Sequence, residues 1–238
     1  MPAAPPIETP PGEAASLPLP LALWLSPAFP VGAFAYSHGL EWAAEAGDVH
    51  DAESLAGWLA DILAHGAGRN DAILAAEAFR AVAAADDDRL AAVAELAAAL
   101  GGSAERRLET LTQGGAFVAT ARAAWPCPAL DRLVALAKGE IAYPVAVATA
   151  AAGHALPIRA TLEMLVTGFL GNLVSAAVRL GIVGQTDGQR VLARLLPLCR
   201  TVAADAERAS LDDLGGAVFR ADLSALLHET QYTRLFRS

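Results

Sequence analysis

The sequence predicts an all-α fold, a single-domain helical bundle or array of about nine or ten helices. Three observations lead there. Of 238 residues 55% are hydrophobic, and alanine supplies much of that share; alanine is the best helix former and loses no side-chain entropy on ordering. Strand-favouring tyrosine, phenylalanine and isoleucine are scarce, which argues against a large sheet. Glycines, prolines and capping residues recur between stretches of 3.6-residue apolar periodicity. A chain of this length buries one well-packed core, and no internal repeat divides it.

Residues 1–20 are rich in proline and small residues and are expected to form a disordered arm, ahead of a helical domain over 21–230. Leu21 to Leu25 begin the ordered part. Pro27 and Pro30 push Ser26 and Phe29 toward extended backbone, and Val31-Gly32 allows a close turn. A helix is then expected from Ala33 to Ala46, stopped by Gly47. Gly39 inside it costs about 0.5–1 kcal/mol relative to alanine, so its presence points to a close approach by another backbone.

Asp51 caps the next helix, whose stripe is Leu55, Trp58, Leu59, Ile62 and Leu63. After Gly66 and Gly68 a helix runs from Asn70 or Asp71 to Ala85. Asp86-Asp87-Asp88 lacks the glycine and further ligands of a calcium loop and reads as a helix N-terminus. Leu90, Val93, Leu96, Ala97 and Leu100 continue it. Ser103 opens a long helix to about Trp125, with Arg106 on its surface and Gly114-Gly115 bending it or permitting tight packing. Pro126-Cys127-Pro128 breaks the chain. Short helices follow over Asp131–Lys138 and Pro144–Ala152.

Pro157 to Leu180 reads as a long buried helix in which Asn172 needs internal hydrogen-bond partners. Gly181 to Gly188 reads as a loop, and Gln189 to Ala204 as a helix kinked at Pro197. Ser210 and Asp213 match a capping pattern that opens a helix over Leu211–Thr230. Val218, Phe219, Leu223, Leu226 and Leu227 would form its apolar side. The last residues, 231–238, make a basic, aromatic tail on an acidic protein, expected to be flexible and to order on binding a partner.

The net charge of −9, with 17 basic residues scattered, excludes the cationic footprint that phosphate binding needs, so no nucleic acid is expected. The longest uncharged stretch, Ile141 to Ile158, contains Pro144, His154 and Pro157 and reads as core, so no membrane span is expected. The N-terminus lacks the basic and apolar regions of a signal peptide. Cys127 and Cys199 are too few for a disulfide scaffold, which fits the cytoplasm.

Catalytic and metal signals are thin. His38 and Glu41 stand three apart and are placed to touch, but no third member completes a nucleophilic site. His38, His50, His65, His154 and His228 show no ligand spacing, and no glycine loop followed by Lys-Ser or Lys-Thr cradles a phosphate. No cofactor and no resident metal are expected. What remains is interface vocabulary in two clusters. Pro30, Gly32, Phe34, Tyr36, Ser37, His38 and Glu41 form one. Tyr232, Arg234, Phe236 and Arg237 form the other, with Gln185 and Gln189 as further candidates.

Three motifs carry a family resemblance. WLSPAFPVGAFAYSHGLE (Trp24 to Glu41), LVSAAVRLGIVGQTDGQRVL (Leu173 to Leu192) and HETQYTRLFRS (His228 to Ser238) resemble, in that order, the signatures of the urease accessory protein UreF family. Two departures are visible: Gly181-Ile182-Val183 replaces an Ile-Pro-Leu run before Gly184-Gln185, and Ala35 stands where serine is common. The resemblance implies an all-helical, non-enzymatic, dimeric nickel-insertion chaperone of the cytoplasm. It implies binding to a UreD/UreH-like accessory protein and to a UreG-like GTPase whose hydrolysis it couples or regulates, with apo-urease as the target. It places the 231–238 tail against the UreD-like partner and residues 36–41 near the GTPase or dimer face. On the residues alone, a direct nickel carrier and a helical scaffold unrelated to urease stay open.

Overall fold

The computed structural model describes residues 18–238, and among them it holds eleven α-helices, two short 3-10 turns and no strand. The arm expected over residues 1–20 lies outside the described residues except for its last three, and Leu19 already opens α1 (Leu19–Trp24). A 3-10 turn (Ala33–Ala35) precedes α2 (Leu40–Glu45), α3 (Ala52–His65), α4 (Ala67–Ala83) and α5 (Asp87–Ala99). Then come α6 (Ala104–Ala124), α7 (Pro128–Leu136), α8 (Tyr143–Gly153), α9 (Ile158–Arg179) and α10 (Gln185–Arg208). A second 3-10 turn (Leu211–Asp213) leads to α11 (Phe219–His228).

The ends of these helices follow local chemistry. Asp51 accepts from the Ser54 backbone at 2.8 Å, Asp86 from Arg89 at 2.9 Å and Ser103 from Arg106 at 3.2 Å. Each such cap satisfies a donor that the helix cannot, and is worth about 1 kcal/mol. Pro128 occupies the first turn of α7, where a missing N–H is harmless.

The centre of the array is α8, which is apolar all round and buried from Pro144 to Ala151. α4 packs along it with Ala72 to Ala78 buried, and α6, α7 and α9 cover its other sides. α10 closes the bundle over α3, α4 and α9. α9 is long and apolar enough to cross a membrane by length and composition, yet half of its apolar window is buried within this bundle. Small residues set the spacing. At Gly114 on α6, a Cβ would stand 1.9 Å from the Ile141 carbonyl oxygen, so glycine is what lets the chain entering α8 approach.

Several expectations need correction. The helix expected from Ala33 to Ala46 is broken: Tyr36 is extended, and His38 and Gly39 are left-handed at φ 63° and 75°. The close approach expected at Gly39 is nevertheless present, since a Cβ there would lie 2.7 Å from the Ala225 backbone nitrogen. α10 starts at Gln185, so the expected Gly181–Gly188 loop ends at Gly184. α10 continues through Pro197 to Arg208, beyond the expected end at Ala204.

The helix expected over Leu211–Thr230 is interrupted. The Ser210–Asp213 capping box is real, but Gly215 and Gly216 at φ 117° and 122° end its turn, and α11 restarts at Phe219. Arg69 fastens that break by donating to the Asp213 and Gly215 carbonyls. α11 then buries its small face (Ala221, Ser224, Ala225) against α2, leaving Phe219, Leu223, Leu226 and Leu227 exposed where a buried stripe was expected.

The neighbouring glycines of α6 test the packing account by opposite signs. Gly114→Ala is expected to lower unfolding free energy in urea titration by about 1–3 kcal/mol through overpacking. Gly115→Ala, exposed and with nothing within 4 Å of an added Cβ, is expected to raise it by about 0.5–1 kcal/mol. Equal effects at the two positions would contradict it.

Candidate functional site

Two stretches far apart in sequence meet at one place: residues 26–41 and the tail 231–238. The prolines and Gly32, at φ 73°, turn the chain so that Phe34 projects from the 3-10 turn, 71% exposed. Tyr36 turns the other way and is core, with its carbonyl accepting from Asn172 of α9 at 3.4 Å. Asn172 thus finds the internal partner its position demanded. Ser37 is fully buried and receives the chain end. Its backbone N–H donates to the Ser238 carbonyl at 2.6 Å and its hydroxyl donates to the same oxygen.

Glu41, in the first turn of α2, holds the tail. One carboxylate oxygen accepts the Leu235 N–H at 2.7 Å, and the other accepts the Phe236 N–H at 2.9 Å. His228 at the end of α11 lies on the same carboxylate, Nε2 to Oε2 3.2 Å. Its other ring nitrogen meets Glu105 of α6 at 2.6 Å, and Glu105 also pairs with Arg234 of the tail. Phe236 is buried beneath the Arg179 guanidinium, 4.4 Å from ring centroid to carbon, while Arg179 also donates to the Phe34 carbonyl. The Arg237 N–H donates to the Ala35 carbonyl at 2.8 Å, completing the seam.

The expected His38–Glu41 pair is not formed, because His38 is left-handed and its ring turns away from α2. It packs edge-on against Phe169 at 4.9 Å, with Nδ1 3.7 Å from Glu109 and, among the described residues, no partner within hydrogen-bond distance. Burial and the nearby Arg106 charge lower its pKa from 6.5 to about 4, so the ring is neutral at physiological pH. Arg106 is not the surface residue expected: it is mostly buried, 3.6 Å from Glu109. Burial pushes the Glu109 carboxyl up, but His38, Arg106 and the Ser238 hydroxyl outweigh it and hold it below the usual range. Asp71 of α4 stands across from them, its pKa raised to about 6 by burial against the pull of Arg106. His38, Asp71 and Arg106 border two cavities of about 290 and 360 Å³; Glu109 borders the first, whose wall combines apolar side chains such as Phe29, Leu165 and Phe169 with Thr110, Gln113, Asn172 and Ser175.

The structure therefore joins Phe34, Tyr36, Ser37, His38 and Glu41 with Arg234, Phe236 and Arg237, and Pro30 and Gly32 shape the approach. Tyr232 stands fully exposed beside them. Gln185 and Gln189 are exposed on the start of α10, and among the described residues no hydrogen bond ties either to the junction. Sequence reasoning missed Glu105, Arg106, Glu109, Arg179 and Ser238. Arg179 sits in the last turn of α9, beside the second motif's Leu180-Gly181, and that position is the one signal that pointed to it. Among the described residues, no group of three or more His, Cys, Asp or Glu is arranged to hold a metal ion.

A helical array whose distinctive residues build a seam between distant segments, with aromatic and basic side chains left standing on it, belongs to the class of interaction proteins. The UreF family profile matches residues 49–196. A urease accessory protein UreF from Xanthobacter autotrophicus (strain Py2) is 59% identical over 220 residues, spanning 92% of this chain and 90% of that protein. UreF proteins from Rhodopseudomonas palustris (strain HaA2) and Methylobacterium sp. (strain 4-46) are 57% and 55% identical over 218 residues each, covering 92% of this chain and 92% and 87% of theirs. The chain belongs to the UreF family of urease accessory proteins, a non-catalytic family.

His38 and Asp71 act on stability with opposite sign. A ring kept neutral in the fold contributes stability that is present above 6.5 and is lost as pH falls toward about 4. Asp71 binds its proton more readily folded than unfolded, so its contribution is present at acid pH and is lost as pH rises through about 6. Asp71→Asn is expected to raise the thermal midpoint near neutral pH, with the gain vanishing toward pH 4. A lowered midpoint near neutrality would contradict the assignment.

Proposed function

We propose that this protein bridges a UreD/UreH-like accessory protein and a UreG-like GTPase during insertion of nickel into apo-urease. It works in the cytoplasm as a homodimer. The observation that supports this reading best is the seam itself. Glu41, Ser37 and the Ala35 carbonyl hold the tail backbone, Arg179 covers the Phe236 ring, and Tyr232, Leu235, Arg237 and Phe34 are left facing solvent on the docked tail. Exposed aromatics and arginines on a preorganised surface lose little entropy on binding, which is the composition of interface hot spots. The tail side of the seam meets the UreD-like protein. The 36–41 side lies toward the GTPase or the second copy, and the adaptor couples the GTPase to the target.

Nickel and GTP belong, in this reading, to the partners. The contribution of this chain is positional: it sets which surfaces meet and in what orientation, and regulates hydrolysis through that contact.

Replacing Tyr232, Leu235 and Arg237 together by alanine tests it, since none of the three side chains supports the fold. Co-expression with the UreD-like and UreG-like partners, followed by mass measurement of the complex, is expected to show loss of the UreD-like subunit. Affinity should fall by roughly 30-fold or more, the size of a single hot spot. The thermal midpoint of the isolated protein should stay close to wild type. Full recovery of the complex and of urease activation would overturn the assignment of the tail.

A further inference from the structure

The Glu41–His228–Glu105 cluster contains one feature that partner binding does not explain. His228 is completely buried, and both of its ring nitrogens face carboxylate oxygens, at 3.2 and 2.6 Å. A neutral imidazole has one N–H and one lone pair, so it satisfies only one ionised carboxylate. The arrangement needs one more proton than a neutral ring between two carboxylates. The other charges around it are accounted for. On the tail, Arg234 pairs with Glu105; on α2, Glu45 accepts from Gln231; on α11, Glu229 caps the Ala104 N–H at the start of α6. Glu109 lies one turn further along α6 with the Ser238 hydroxyl.

We propose that this extra proton is the latch of the C-terminal strap, so that losing it releases residues 232–238 from the groove. Once the ring holds a single proton, one carboxylate faces a lone pair in a largely buried site. Glu41 and Glu105 both bear on the strap: Glu41 holds the Leu235 and Phe236 amides, and Glu105 holds Arg234. Either carboxylate relieves the repulsion by turning to solvent, and either movement lets go of the strap. Release uncovers the Ser37 N–H and hydroxyl as donors and the Glu41 and Glu109 carboxylates as acceptors, and it frees Phe236. The strap is therefore a proton-controlled element, whichever protein meets it.

The test uses the full chain. Ring-nitrogen NMR of His228 and hydrogen-exchange protection of the Leu235 and Phe236 amides, corrected for intrinsic exchange, are followed as pH is raised across the range in which the protein stays folded. The ring is expected to pass from two protonated nitrogens to one, with protection of both amides falling roughly tenfold or more over the same interval. Glu105→Gln keeps a hydrogen-bonding group but removes the need for the second proton, so its strap protection is expected to be independent of pH. A ring that changes state while the amides stay protected would overturn the latch. So would a ring and strap that both stay unchanged across the range, or a strap that loosens equally in the variant.

Discussion

A buried carboxylate is unfavourable unless its lone pairs are filled, and Glu41 is the buried carboxylate on which this structure turns. Two backbone N–H groups and an imidazole fill it, all supplied by the last eleven residues of the chain. Hydrogen bonds to a charged group contribute about 1.5–3 kcal/mol each, and leaving such a group unpaired costs more than the bonds contribute. The carboxylate and the tail are thus conditional on each other. The fold of residues 33–41 follows from that condition: the chain breaks at His38 and Gly39 so that α2 begins with Glu41 aimed at the tail and Ser37 aimed at its end. The Ala225 backbone then fills the place a side chain at residue 39 would take, which brings α11 and His228 into range.

This arrangement explains how a protein without a catalytic constellation among its described residues can concentrate unusual residues in one place. Titratable groups crowd the junction, but they are spent on one another: His228 on two glutamates, Glu109 on Arg106 and Ser238, Arg179 on Phe236 and the Phe34 carbonyl. Buried ionic networks of this kind are weak contributors to stability and strong contributors to geometry. What they produce here is a docked tail on which Tyr232 and Leu235, with Phe34 nearby, face solvent, in keeping with a family whose members are accessory proteins.

The helices, their caps and the all-α class were legible in the sequence because they depend on neighbours in sequence. Asp51, Asp86 and Ser103 cap as their types dictate, and the Leu55–Leu63 stripe is buried as its spacing dictates. The Ala33–Ala46 helix was misread because its residues are good helix formers, while the contacts that break it come from positions near 225 and 238. The apolar residues of α11 were misread for a related reason: periodicity shows that one face is apolar, not which face the bundle uses. The partners of Glu41 and of His228 lie 187 and 123 positions away and left no local mark. The three motifs did mark the family, and two of the three, the first and the last, proved to be the two sides of a single seam.

With these shared hydrogen bonds, residues 35–41 and the tail are expected to open as one cooperative unit. Native-state hydrogen exchange in low denaturant measures it most directly, by giving an opening free energy for each amide. The amides of Ser37, Leu235, Phe236 and Arg237 should open with the same free energy and the same denaturant dependence. A tail that frays with no denaturant dependence while Ser37 stays protected up to global unfolding would contradict the account.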